Sequence, residues 1–229
     1  MARQVAHEIK NPLTPIKLEI QRLIRLKEKG NPKWEEKFDT VSSVILEHID
    51  ILTDTANEFS TFAKLYSEEP VLVDLVKTLK DQMLIFDNKE NIDIQYIGLD
   101  EAYAMAPRPQ LIRVFVNLIT NAIQAVEIMQ KEAVEKGEDI PQGRVLICLR
   151  NSTADGCYDI VVDDNGPGVK EENLSRLFTP NFTTKSGGTG LGLAICRNII
   201  EKCNGSISYS RSFGLGGASF TITLPKHSV

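Results

Sequence analysis

Apolar residues recur at Val5, Ile9, Leu13, Ile16, Ile20 and Leu23, in steps of three and four that mark one face of a helix. The steps run straight across Pro12 and Pro15. A proline inside a helix removes a backbone donor and crowds the carbonyl four residues back, at a cost of about 3 kcal/mol. Taken alone, this stretch suits a helix that starts at Asn11 as its N-cap, with Pro12 in the first turn. The unbroken stripe predicts instead one continuous helix through both prolines. In "KGNPK", Gly30 suits the end of that helix, and Asn31 and Pro32 suit the start of the next. A second stripe follows at Phe38, Val41, Ile45, Ile49, Leu52, Ala56, Phe59, Ala63 and Tyr66, with a coiled-coil-like seam. The two stripes describe a helical hairpin. Two helices bury little alone, so two hairpins pairing into a dimeric four-helix bundle are the expected completion. His48 lies beside the seam and reads as an ordinary, partly exposed helix residue.

The helical period breaks at "SEEPVLVD", which reads as a linker near residues 67–73. A short helix is expected at about 74–87, then strands at "IDIQYIG" and near "AYAMA", then a long helix from Pro109 to about Lys136. The polar loop "KGEDIPQG" precedes the strands "RVLICLRNS" and "CYDIVVDD", joined by "TADG". A Gly-rich stretch leads into the helix "GLAICRNIIEKC". Two closing strands, "GSISYSRS" and "GASFTITLP", turn at "FGLGG". The predicted fold class is α+β: a helical hairpin over 1–66, then an α/β sandwich over 70–229 with one mixed sheet covered by helices.

Composition narrows the classes of function. The 229 residues are 42% hydrophobic and 25% charged, ordinary for a soluble globular chain. A net charge of −5 argues against a non-specific nucleic-acid binder, which needs a basic footprint. No continuous apolar run reaches the roughly 18 residues of a membrane span, and no signal peptide opens the chain. The four cysteines, Cys148, Cys157, Cys196 and Cys203, form no CxxC pair and read as reduced, mostly buried thiols of a cytoplasmic protein. The helix that carries His7 is expected to continue upstream, as part of a longer protein.

Three stretches carry chemistry. In "NLITNA", Asn117 and Asn121 stand four apart on one helix face, with carbonyl oxygens suited to a hard cation and its waters. In "DDNGPGV", Asp164, Asn165 and Gly166 follow an apolar strand; an isolated DNG is usually no more than a turn. The polar segment after it, through "LFTPNFTTKSGG", is long enough to act as a lid. In "GGTGLGLAI", Gly187, Gly188, Gly190 and Gly192 let backbone N–H groups approach an anion at a helix start. The pattern is neither a Walker A loop nor a strand-preceded GxGxxG.

The order of these pieces says more than any one of them. A His-Glu helix, an Asn-bearing helix, DxGxG, a Phe-containing lid and GxGLGL together resemble the two-component sensor histidine kinases. Their ATP-binding (Bergerat-type) fold is shared with gyrase, mismatch-repair and heat-shock ATPases. The resemblance covers nearly the whole chain, and "HEIKNPLTPI" is most similar to the nitrogen-regulation-type membrane sensor kinases. It implies a dimerisation and histidine phosphotransfer hairpin over 1–66 and a catalytic ATP-binding domain over 70–229. His7 would attack the γ-phosphate of MgATP, Glu8 would act as its base, and Asn11 would position water for removing phosphate from the partner. Asn121 would hold Mg2+, with Asn117 beside it on the phosphates. Asp164 would read the adenine amino group, and Gly166 and Gly168 would give the nucleotide clearance. Thr189, Gly190, Leu191 and Gly192 would line the phosphates, and Phe178 and Phe182 match the lid's aromatics. Gln124 stands where some relatives carry a basic residue, so Lys185 becomes the candidate for phosphate charge. The helix would bend at Pro12 and Pro15 so that the kinase domain and a partner can each reach His7. The implied partners are a response regulator receiver domain and a second copy of the chain, with no nucleic acid. Contact with the membrane would come only through upstream segments that anchor the full protein in the inner membrane. An ATPase clamp of the same fold and an inactive dimerising scaffold are the rival readings.

Overall fold

The computed structural model describes the backbone of residues 2–31, 33–64, 68–86, 89–184 and 190–227. Side chains are described over the same ranges except 2–11, 50–51 and 54–64. The chain divides into two compact units: a hairpin, Met1–Tyr66, and an α/β unit made of Ser67–Thr184 and Gly190–Val229.

In the hairpin, α1 (Ala2–Glu28) runs without interruption through Pro12 and Pro15, as the stripe predicts. It ends where Gly30 takes a left-handed conformation at φ 59°, which only glycine adopts freely. Asn31 N–H then bonds back to the Leu26 carbonyl at 3.1 Å, closing the helix end. The Asn31 side chain accepts from Lys33 N–H at 3.1 Å and opens α2 (Lys33–Lys64). Lys27 Nζ sits 5.2 Å from the centre of the Trp34 ring and ties the two helices beside the turn. Val41 is buried between them, but Leu13, Ile20, Phe38 and Ile49 remain 40–49% exposed. One hairpin leaves much of its own stripe uncovered. His48 is half-buried, and its Nδ1 meets neither solvent nor a hydrogen-bond partner.

The α/β unit opens with a difference from the sequence reading. The segment taken as a linker contains a strand, β1 (Val71–Asp74), antiparallel to β3 (Tyr103–Ala106) in a separate two-stranded sheet. Four residues are too few to show alternation, and the partner strand lies some thirty positions away. Asp74 caps α3 (Leu75–Met83) by accepting from Lys77 N–H at 2.9 Å, and a 3-10 turn, Leu84–Phe86, follows. The main sheet has five strands in the order β2 (Ile92–Gly98), β4 (Gly143–Asn151), β5 (Cys157–Asp164), β7 (Ala218–Pro225), β6 (Ser206–Arg211). It is mixed: β2 runs parallel to β4, and every other pair is antiparallel. The connection from β2 to β4 contains the long helix α4 (Arg108–Lys136), and a helical crossover returns the chain in the same direction.

The sequences of β5 (Cys157–Asp164), β6 (Ser206–Arg211) and β7 (Ala218–Pro225) place alternate residues on each face. Ile160, Val162, Phe220, Ile222 and Leu224 take the covered face and are buried, as are Val145, Ile147 and Leu149 of β4. Against them α4 packs Leu111, Val114, Phe115, Leu118 and Ile119, a stripe in steps of three and four. Helix α6 (Gly192–Lys202) adds Ile195, Ile199 and Ile200. Among the described residues α4 alone is long and apolar enough to cross a membrane by composition, and here it is the core helix of the sandwich.

Candidate nucleotide site

Helix α4 forms a rail along which the glycine-rich segments are set. Ala125, Asn121 and Asn117 follow one another a helical turn apart, so the outer two lie about 12 Å from each other along the axis. At one end the turn after β5 comes down on Ala125: a Cβ on Gly166 would stand 2.8 Å from the Ala125 backbone carbonyl carbon. At the other end α6 begins against Asn117, where a Cβ on Gly192 would stand 2.4 Å from Nδ2. Gly166 is needed for this approach because it meets backbone, whereas a side chain at Gly192 would displace the Asn117 amide. Between the two ends Asn121 Nδ2 donates to Asn117 Oδ1 at 3.0 Å, so the two amides are oriented as a pair. Gln124 is half-buried on the next turn.

Asp164 closes β5 and is 1% exposed. Its Oδ1 accepts from Gly166 N–H at 2.9 Å and Ala218 N–H at 3.1 Å, and its carbonyl accepts from Gly217 N–H at 3.1 Å. A buried carboxylate that receives backbone donors keeps its charge satisfied and its plane fixed. Gly217 makes this possible, because a Cβ there would lie 2.3 Å from Oδ1. Further on, Gly168 turns the chain at φ 73°, and Val169 N–H donates to the Tyr209 hydroxyl at 3.0 Å.

The segment after this turn contains the short helix α5 (Glu171–Leu174) and then the two phenylalanines. Phe178 meets Phe220 edge-on with centroids 6.3 Å apart, and Phe220 meets Tyr209 at 5.5 Å. Phe178 is thus packed onto the sheet. Phe182 lies under the Arg176 guanidinium at 4.7 Å. Gly190, at φ 67°, backs onto the chain at Asn181 and Phe182, where a Cβ would lie 2.7 Å from Phe182 N. The segment therefore leaves and returns at neighbouring points. Leu191 precedes α6, whose start is capped by no side chain. Such a helix end favours an anion.

Lys185 and Thr189, together with Gly187 and Gly188, lie outside the described residues. His7, Glu8 and Asn11 lie on the continuous α1, with their side chains outside the described set. Asn117, Asn121, Gly166 and Gly192 are brought together on the α4 rail, Asp164 is bonded to Gly166 N–H, Gly168 lies near Gly217 and Tyr209, and Gly190 lies against Asn181 and Phe182. The sequence reading gave no part to Gly217, Tyr209 or the side chain of Asn165. Each acts through a partner more than twenty positions away, which local spacing does not show. Of the four thiols only Cys196 and Cys203 are buried, while Cys148 and Cys157 on the sheet are half-buried; burial pushes Cys196 up to about 12, with the Arg113 charge opposing, and raises Cys203 as well. Among the described residues no group of three or more His, Cys, Asp or Glu could hold a metal ion.

Residues 106–228 match the family of histidine kinase-, DNA gyrase B- and HSP90-like ATPases, which defines the class of the α/β unit. Over 98% of its length the chain is 31% identical to nitrogen regulation protein NtrY of Azorhizobium caulinodans, of which it spans 28%. It is 30% identical, again over 98% of its length, to the sensor histidine kinase ZraS of Escherichia coli, of which it spans 45%. Among solved structures, the histidine kinase ThkA in complex with response regulator protein TrrA superposes with a TM-score of 0.69 at 26% identity, covering 99% of this chain and 61% of that one. The ThkA catalytic domain alone matches at a TM-score of 0.57 and 29% identity, covering 69% of this chain and 96% of that one. The chain belongs to the two-component sensor histidine kinases and spans less than half the length of these two curated relatives.

Proposed function

We propose that this chain is the kinase core of its protein: it phosphorylates His7 from MgATP and passes the phosphoryl group to an aspartate of a response regulator. The observation that carries this reading is the alignment of Gly166, Asn121 and Gly192 along α4, with the buried Asp164 bonded to Gly166 N–H at one end of that line. A purine would lie at the Asp164 end, with its amino group on Oδ2, since Oδ1 serves two backbone N–H groups. The phosphates would lie toward Asn117 and the start of α6, near Gly190 and Leu191. We assign Thr189 and Lys185 to the phosphates as well, Lys185 for the charge that Gln124 does not supply. Mg2+ fits one amide oxygen, that of Asn121, because this ion keeps most of its waters and is held chiefly by phosphates. When bound it neutralises charge on the phosphates.

His7 attacks the γ-phosphorus through a neutral ring nitrogen, with Glu8 taking the proton from the other nitrogen. The N–P bond forms as the bond to the bridging oxygen of ADP breaks, and positioning with charge neutralisation supplies most of the catalysis. Asn11 orients water for dephosphorylation of the regulator. The uncovered Leu13, Ile20, Phe38 and Ile49 support a homodimer in which two hairpins make a four-helix bundle. ATP and the regulator set this part of the protein in the cytoplasm, with the rest anchored in the inner membrane. Incubation with γ-labelled ATP tests the proposal. Label on the chain that requires Mg2+ is expected; ATP hydrolysis without label would favour the clamp reading, and neither would favour the scaffold.

Regulator docking has a candidate surface. Leu18, Arg22, Arg25, Leu26 and Lys29 line a shallow groove of about 400 Å³ along α1, off the seam stripe. Glu19 also lines it, 3.7 Å from Arg22, so two leucines and a net positive charge suit an amphipathic surface with acidic edges. Arg22→Glu with Arg25→Glu is expected to slow transfer to the regulator about tenfold while leaving label on His7 unchanged, as a charge reversal at a steered interface should. Transfer rates from purified phosphorylated protein check this. Unaltered transfer would place docking elsewhere.

A further inference from the structure

Asn165 sits between Asp164 and Gly166, where a simple turn-former would bond its side chain to its own backbone two residues on. It does not. Its Oδ1 accepts from Arg144 N–H at 2.8 Å, and its Nδ2 donates to the Gln142 carbonyl at 2.8 Å. Its own N–H donates to the Arg144 carbonyl at 3.2 Å. These three bonds carry the β4–β5 pairing one residue beyond its last register pair, Val145 with Asp164. The backbone alone could not continue as strand, because the chain must leave the sheet at Gly166 to pass close against Ala125. Asn165 replaces the missing strand with a side-chain clip. Asp164 is therefore held on two sides, by Asn165 on β4 and by Ala218 N–H on β7.

We infer that Asn165 is a positioning residue for purine selection: by fixing the turn to β4 it sets the direction in which Asp164 presents its second carboxylate oxygen to the six-amino group. The inference rests on the ATP reading proposed above. It requires that the effect of Asn165 pass through Asp164. A merely structural residue would instead weaken all nucleotides alike.

The test uses the full chain and calorimetric affinities for ATP and for inosine triphosphate, which carries an oxo group in place of the amino group. Asn165→Ala is expected to weaken ATP roughly tenfold, the effect of about one well-placed hydrogen bond, and to leave inosine triphosphate nearly unchanged. In an Asp164→Asn background, which keeps an acceptor for the two backbone donors, the same change should leave ATP affinity where it was. Asn165→Asp retains the bond from Arg144 N–H, loses the donor to Gln142, and should keep part of the preference. Equal weakening of both nucleotides, the same loss in both backgrounds, or no loss at all would overturn the inference. A wild-type chain with no preference for ATP over inosine triphosphate would instead sink the assignment of Asp164, and the inference with it.

Discussion

His7→Gln is expected to reduce label from γ-phosphate-labelled ATP to background while leaving ATP affinity as in the wild type. Glutamine has no nitrogen lone pair able to attack phosphorus, so the acceptor is removed and no slower route replaces it. Glutamine is also a good helix former, and α1 should keep its stability to within about 0.5 kcal/mol. His7 lies in the hairpin, whereas Asp164, Asn121 and Gly192 lie in the α/β unit, so binding and chemistry should separate cleanly in this variant. In the wild type the label should be lost in acid and kept in alkali, as an N–P bond behaves. Acid-stable label, or label that persists in His7→Gln, would assign the acceptor to another residue.

Where a signal is carried by many residues in a short window, the sequence predicts the structure closely. The strand at Ile92–Gly98 is visible from alternation, the strand at Cys157–Asp164 from its apolar run Ile160, Val161 and Val162, and α4 from the helical steps of Leu111, Val114, Phe115, Leu118 and Ile119. The stripe from Val5 to Leu23 predicts a helix through two prolines, because six apolar positions keep the helical spacing unbroken across them. Strand β1 fails this test. Val71–Asp74 gains its identity from pairing with Tyr103–Ala106, and nothing within four residues reports a partner so distant. The site divides the same way. Asn117 and Asn121 are legible as an i, i+4 pair, and Asp164 is legible by resemblance. That Gly192 exists for Asn117, Gly166 for Ala125 and Gly217 for Asp164 is tertiary information. Each of these glycines reads locally as a flexible turn, yet each is a point of close approach between two elements.

Asp164→Asn is expected to weaken ATP binding by about 1.5–3 kcal/mol, the range for a hydrogen bond to a charged group, or roughly ten- to over a hundredfold. The structure explains why this variant should still fold. Oδ1 of the amide can accept from Gly166 and Ala218 as the carboxylate does, because both donors are backbone N–H groups. That requirement fixes the amide the other way round at the second position. Its NH2 then faces the purine amino group, donor against donor, and the site cannot flip it without turning NH2 toward two backbone N–H groups. Gly217 keeps this arrangement possible, since a side chain there would run into Oδ1. The melting temperature without nucleotide should therefore change little, while the upward shift caused by saturating ATP should shrink with the affinity. Asp164→Ala makes the opposite test, because it strands both backbone donors in a buried site and should lower the melting temperature even without nucleotide. An Asp164→Asn protein that melts as the wild type and binds ATP unchanged would refute the role of Asp164 in reading the base, and would leave it only the task of joining the turn to β7.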